Sequence, residues 1–123
     1  KTILEVKNIP YIDVGTYVDK PCDYFDYVSQ SISLIYRNES NFAMSFCRSG
    51  QGVNIAANKS NDILSALVFD EYTAEYAIRH NCANHFAIPS KYVKPTDMER
   101  IINTIQHNSF DGGRHFTRVT KAI

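Results

Sequence analysis

Short apolar runs that do not alternate, each followed by a turn signal and then by apolar residues spaced three and four apart, constrain this chain more than any other feature. Phe42-Ala43-Met44-Ser45-Phe46, Leu64 to Phe69 and His85-Phe86-Ala87-Ile88 are such runs, and consecutive apolar positions are the habit of parallel strands covered on both faces. Helical spacing follows each of them: after Gly52, from Glu71 to His80 behind Asp70 as N-cap, and at Met98, Ile101, Ile102 and Ile105 after Thr96. Upstream, Ile9-Pro10-Tyr11-Ile12-Asp13-Val14 reads as a fourth strand closed by Gly15-Thr16-Tyr17, and Lys1 to Lys7 as the tail of a helix. Tyr24 to about Arg37 reads as a helix capped by Asp23, and Arg114 to Lys121 as a last helix after Asp111-Gly112-Gly113. Strands alternating with helices predict an α/β fold, a doubly wound parallel sheet in a Rossmann-like three-layer sandwich. Ligands of such sheets sit beyond the carboxyl ends of the strands, where Cys47, Asp70 and the Gly15-Thr16 turn are expected.

With 123 residues, 44% of them hydrophobic, the chain suffices for one domain spanning 1–123. Lys plus Arg and Asp plus Glu both number 13, so no global field recruits nucleic acid or an anionic membrane, and an anionic ligand must be held by local groups. No run approaches the ~18 apolar residues of a membrane span, and no signal peptide opens the sequence, which predicts a cytoplasmic protein. Cys22, Cys47 and Cys82 are odd in number and lack C-x-x-C spacing, which fits a reducing compartment. His80, His85, His107 and His115 have no H-E-x-x-H spacing, so no metal motif is present, although spacing leaves a spatial cluster open. Gly50-x-Gly52 lacks the third glycine and the downstream acid of a dinucleotide fingerprint, so no cofactor is expected.

The run from Phe42 to Phe46 feeds Cys47-Arg48-Ser49-Gly50-Gln51-Gly52 and then a helix. Backbone N–H groups without ladder or helix partners, together with the helix dipole, make such a turn an anion cradle. Cys47 beside it has two readings: a half-buried small hydrophobe, or a thiolate favoured by the helix N-terminus and Arg48. The Ser-Gly-x-Gly neighbourhood favours the second. His80-Asn81 ends a helix and Asn84 starts a strand, so they either face a rim site or form an ordinary helix C-terminus favoured by the dipole. His, Asn and Cys also suggest a papain-like protease, but the glycine turn around Cys47 lacks that family's flanking signature. Arg114 and Arg118, four apart, either grip a phosphate together or form a solvated tail; Gly112-Gly113 favours the grip.

Four blocks carry a family likeness from Asp13 to the end. They are Asp23-Tyr24-Phe25-Asp26-Tyr27, then Cys47 to Lys59 ending Ile55-Ala56-Ala57-Asn58-Lys59, then Arg79-His80-Asn81-Cys82-Ala83-Asn84, and Asp111-Gly112-Gly113-Arg114-His115 with Arg118-Val119. In this order and spacing they resemble the ribose-5-phosphate isomerase B family, which also includes galactose-6-phosphate isomerase. The resemblance implies a metal-independent, cofactor-free enzyme that interconverts ribose 5-phosphate and ribulose 5-phosphate through an enediolate, as part of the pentose phosphate pathway. It implies that Cys47 moves the proton between C1 and C2, and that backbone N–H groups from Arg48 through Gly50, Gln51 and Gly52 to Asn54 stabilise the enediolate oxygen. His80, with Ser49 nearby, would assist ring opening, Asn81 would bind a sugar oxygen, Tyr24 would line the sugar pocket, and Arg114 and Arg118 would hold the phosphate. It further implies a homodimer or tetramer with the active site at the subunit interface, the arginines serving their own or the neighbour's Cys47. Such chemistry needs a base titrating near neutrality, charge stabilisation on oxygen and a remote anion handle.

Three departures stand out. Arg48 occupies a position where the family usually has Gly, and Ser49 one where Thr is commoner. The family also opens with a strand and a Ser-Asp-His-Ala-Gly turn that this sequence lacks, so the expectation is an N-terminally incomplete chain missing the central strand, or one whose N-terminus was disordered or removed. The departures keep open a non-catalytic sugar-phosphate binding domain of the same fold, alongside an isomerase of a six-carbon sugar phosphate and a cysteine hydrolase.

Overall fold

Residues 1–123 are all described by the computed structural model. In chain order the elements are α1 (Thr2–Val6), α2 (Tyr24–Tyr36), β1 (Ala43–Cys47), α3 (Gln51–Asn58), β2 (Ser65–Leu67), α4 (Glu71–Arg79), β3 (His85–Pro89), α5 (Pro95–His107) and α6 (Arg114–Ala122). The three strands form one parallel sheet in the order β1-β3-β2, with Ala43 and Ser65 both opposite His85. β3 is central and every residue in it is buried, as its non-alternating run predicts.

Side chains leave the sheet on two faces. Val28 and Ile32 of α2 and Val53, Ala56 and Ala57 of α3 pack with Ala87 on one. Ala74 and Ala77 of α4 and Ile101 and Ile105 of α5 pack with Phe86 and Ile88 on the other. This is the three-layer, doubly wound architecture expected. Asp23 accepts from the Phe25 N–H at 2.9 Å and so starts α2. Asp70 starts α4 through a capping box in which its carboxylate accepts from the Thr73 N–H at 2.8 Å. No helix is long and apolar enough to cross a membrane.

One expected strand is not formed. Residues 9–14 are non-helical and join no sheet ladder. An extended segment becomes a strand only when a ladder neighbour takes its backbone groups, and no strand of this sheet runs beside it. Pro10 offers no N–H, and the segment is tied down by side chains instead: Tyr11 donates to Glu5 at 2.7 Å, and Lys1 lies 2.7 Å from Asp13. The sheet therefore has three strands rather than four.

Candidate active site

Cys47 is the last residue of β1, half-buried against the core beside α3. The chain then turns through Arg48, Ser49 and Gly50, and Gly50 caps α3 at φ 75°. The carbonyls of Cys47 and Arg48 accept from Ser90 and Lys91, at 2.9 and 3.1 Å, which holds the turn on the end of β3. The N–H groups of Arg48, Ser49, Gly50, Gly52 and Val53 have no backbone partner, while that of Gln51 donates to Ser49 Oγ at 3.3 Å. With the dipole of α3 behind them, these free donors stand where the sequence predicts an anion cradle. Arg48 is exposed and makes no ion pair with the fold.

Two close approaches require the glycines. A Cβ on Gly50 would stand 2.5 Å from Leu67 Cδ1 and 3.1 Å from the Pro89 nitrogen, and a Cβ on Gly52 would stand 2.6 Å from Tyr24 Cζ. The Tyr24 ring, presented by the first residue of α2, thus lies on the cradle. Asn54 needs a correction. Its N–H donates to the Gly50 carbonyl at 3.2 Å and its side-chain oxygen accepts from Ser65 at 2.7 Å. Both groups are spent inside the fold, so the free donors end at Val53.

His80 follows the last residue of α4, and Asn81 follows it toward the start of β3. Helices of this fold return from the carboxyl ends of the strands to their amino ends, so both residues lie at the amino edge of the sheet. His80 stacks on His115 with ring centroids 4.0 Å apart and planes at 11°, and contacts Tyr76 on α4 at 4.6 Å. Asp111 lies 3.9 Å from His80 Nε2 and accepts from Arg79 Nε at 3.1 Å, a bond that holds its carboxyl below the usual range and raises the Arg79 guanidinium. Burial, and then the neighbouring His80, Arg114 and Arg118, lower His115. A cavity of about 250 Å³ beside this cluster is lined by Asn81, Arg118, Asn58 and Ser65. Arg114 opens α6 and is exposed.

Metal-ligating atoms of His80, Asp111 and His115 all lie within 4.8 Å of one another. Imidazole lone pairs lie in the ring plane, and two near-parallel planes stacked with centroids 4.0 Å apart do not converge on one ion, while Asp111 is committed to Arg79, so the arrangement is one of stacking and ion pairing. A tetrahedral ion would need convergent ligands about 2 Å from it.

The predicted site residues therefore fall into two groups. Cys47, Ser49, Gly50, Gln51, Gly52 and Tyr24 meet at the carboxyl rim; His80, Asn81 and Arg118 meet at the amino edge, with Arg114 at the start of the same α6. A five-residue strand puts roughly 15 Å between those ends. Of the two readings left open for His80 and Asn81, a rim site shared with Cys47 within one chain is not formed, because α4 runs the length of the sheet before it reaches them.

The family model described as ribose/galactose isomerase matches residues 1–122. The chain belongs to the ribose/galactose isomerase family. A relative in Mycoplasma pneumoniae, described as a probable ribose-5-phosphate isomerase B, is 37% identical over 98% of this chain and 80% of its own. A ribose 5-phosphate isomerase from Thermotoga maritima has a crystal structure that superposes with a TM-score of 0.95 at 35% identity, covering 98% of this chain and 83% of that one. Ribose-5-phosphate isomerase B of Clostridium thermocellum superposes at 0.92 with 32% identity, covering 98% and 81%. For this member of the family, sequence reasoning assigned no role to His115 or Asp111, although both stand in the Asp-Gly-Gly-Arg-His block. Only the return of α6 onto the end of α4 reveals their contact with His80.

Proposed function

We propose that this chain interconverts ribose 5-phosphate and ribulose 5-phosphate through an enediolate. The observation that carries the reading is the ring of unpartnered N–H donors around Cys47. In the aldose direction Cys47 as thiolate removes the proton from C2, and charge moves onto the carbonyl oxygen. The free N–H groups of the cradle meet that charge, in a setting where each lost donor typically costs several kcal/mol of barrier. Cys47 then returns the proton to C1, and a proton moves from O2 to O1, which gives the ketose. His80 assists ring opening, Asn81 binds a sugar oxygen, and Arg114 and Arg118 hold the phosphate with forked donors.

Because the two groups lie at opposite ends of one sheet, a complete site takes the cradle of one protomer and the histidine edge of another. A homodimer, alone or paired into a tetramer, supplies that. Ile55 points outward from α3 at 61% exposure, one turn after the cradle, and offers apolar surface for a partner there. Three free cysteines suit a reducing compartment such as the cytoplasm. A coupled assay of ribulose 5-phosphate formation tests the reading: the wild-type chain turns over, Cys47→Ala loses roughly 10³-fold in kcat, and retention of activity by that variant refutes it. A six-carbon aldose phosphate, followed through its own ketose phosphate product, is expected to give the lower kcat/KM.

A further inference from the structure

The central strand carries a histidine for which the isomerisation has no use. His85 is fully buried, at 0% exposure, between the two flanking strands. Its Nε2 lies 2.8 Å from Ser45 Oγ on β1, and its Nδ1 lies 2.7 Å from Ser65 Oγ on β2. Ser65 Oγ also lies 2.7 Å from Asn54 Oδ1 on α3. An amide oxygen only accepts, so the single hydroxyl proton of Ser65 goes to Asn54. The His85–Ser65 bond then takes its proton from Nδ1. A neutral imidazole has one N–H, which leaves Nε2 to accept from the Ser45 hydroxyl. One tautomer satisfies every bond in the chain.

We propose that His85, as the Nδ1–H tautomer, is a positioning residue for the anion cradle: it completes a one-way series of donors, Ser45 to His85 to Ser65 to Asn54, that fixes the first turn of α3 against the sheet. Asn54 bonds through its own N–H to Gly50, the residue that caps the cradle. One turn later Asn58 holds the Ser65 N–H and carbonyl at 2.8 and 3.0 Å. Ser65 is thereby tied to two successive turns of α3. The apolar contacts of this helix are small, Val53, Ala56 and Ala57, and such contact is non-directional. It sets the distance of α3 from the sheet, and the hydrogen bonds add the directional contacts that refine its rotation. Rotation decides where the cradle N–H groups aim, and stabilising donors must be placed within about half an ångström. Burial of His85 keeps the ring neutral, with its pKa pushed down to about 4, so the series persists at working pH.

The proton position is read directly by nitrogen-15 NMR of histidine-labelled wild-type protein. The expected result is a protonated Nδ1 and an unprotonated Nε2 for His85, unchanged between about pH 8 and 5; the opposite tautomer, or a ring protonated at neutral pH, overturns the proposal. Kinetics give a second reading that rests on the proposed isomerase activity. His85→Asn places an amide nitrogen near Nδ1, where it can still donate to Ser65, and is expected to keep kcat within about threefold. His85→Gln places its amide near Nε2 and leaves Ser65 unserved, so kcat is expected to fall about tenfold with KM unchanged, because the cradle acts on charge present only in the transition state. Equal kcat values for the two variants overturn the proposal. If the isomerase reading itself fails, wild type shows no turnover while the NMR result still decides the tautomer.

Discussion

Gly52 lies under the ring of Tyr24, so close that a Cβ on residue 52 would stand 2.6 Å from Tyr24 Cζ and 2.7 Å from its hydroxyl. Gly52 has no positive φ; what the position requires is space. Asp23 caps α2 one residue before the tyrosine, so the start of one helix is docked onto the start of another. The aromatic ring covers part of the anion cradle because a glycine was placed beneath it.

Gly52→Ala therefore separates function from folding. Tyr24 is 47% exposed and its ring can swing outward, while Ala gains up to about 1 kcal/mol over Gly inside a helix. Stability is expected to stay within about 1 kcal/mol of wild type in urea denaturation, and kcat/KM to fall about tenfold as the ring leaves the cradle. Tyr24→Ala should lose a similar factor. The double variant should lose no more than either alone, since both remove one contact.

Gly50→Ala is expected to fail differently. Residue 50 has a left-handed backbone at φ 75°, which costs a side-chain-bearing residue about 1–2 kcal/mol. Its Cβ would also meet Leu67 Cδ1 at 2.5 Å and the Pro89 backbone nitrogen at 3.1 Å, and the backbone at Pro89 cannot move without disturbing the end of β3. A loss of about 2–4 kcal/mol in unfolding free energy is expected, measured by urea titration. An unchanged midpoint would show that the turn relaxes freely.

The layers of the fold were legible because local and tertiary preferences agree. The apolar runs at Phe42, Leu64 and His85 became β1, β2 and β3, and Asp23 and Asp70 cap the helices they precede. Residues 9–14 have strand character, but a strand is a paired state, and pairing is a property of neighbours that the segment itself does not encode. Cys47 and its turn were legible as local chemistry. The distance between Cys47 and His80 was not, because it depends on which end of the sheet α4 reaches. The His85 network left a trace that composition alone hides: Ser45, Ser65 and His85 are polar residues in three otherwise apolar runs, and the register brings them together.

His85 also sets a dependence of stability on pH. Its folded pKa, about 4, lies below its ordinary value of 6.5, so on acidification the unfolded chain takes up the proton first. Stability contributed by the neutral ring is whole above pH 6.5 and is lost as pH falls toward 4, at about 1.4 kcal/mol per unit and about 3 kcal/mol in all. Asp13 and Asp111 are held below 3.8 by Lys1 and Arg79 and act only at lower pH. His115, also held below 6.5, adds a slope of the same sign, so urea denaturation from pH 7 to 4 should show a slope in wild type that is markedly smaller in His85→Asn.

The separation of Cys47 from His80 gives the last test. Cys47→Ala and His80→Asn are each expected to be inactive as pure proteins, one lacking the carbon base and the other the ring-opening histidine. Unfolded together and refolded, or co-expressed, the two chains form mixed dimers. If each site takes its cradle from one protomer and its histidine from the other, a mixed dimer holds one site with both residues intact and one site with both replaced. Random assortment makes half of the dimers mixed, and half of their sites are competent, so about one quarter of wild-type activity should return. If a single chain supplied both residues, every site in the mixture would lack one of them and no activity would return. A gain to about a quarter on mixing, absent when either variant is mixed with itself, is the expected outcome in the coupled assay.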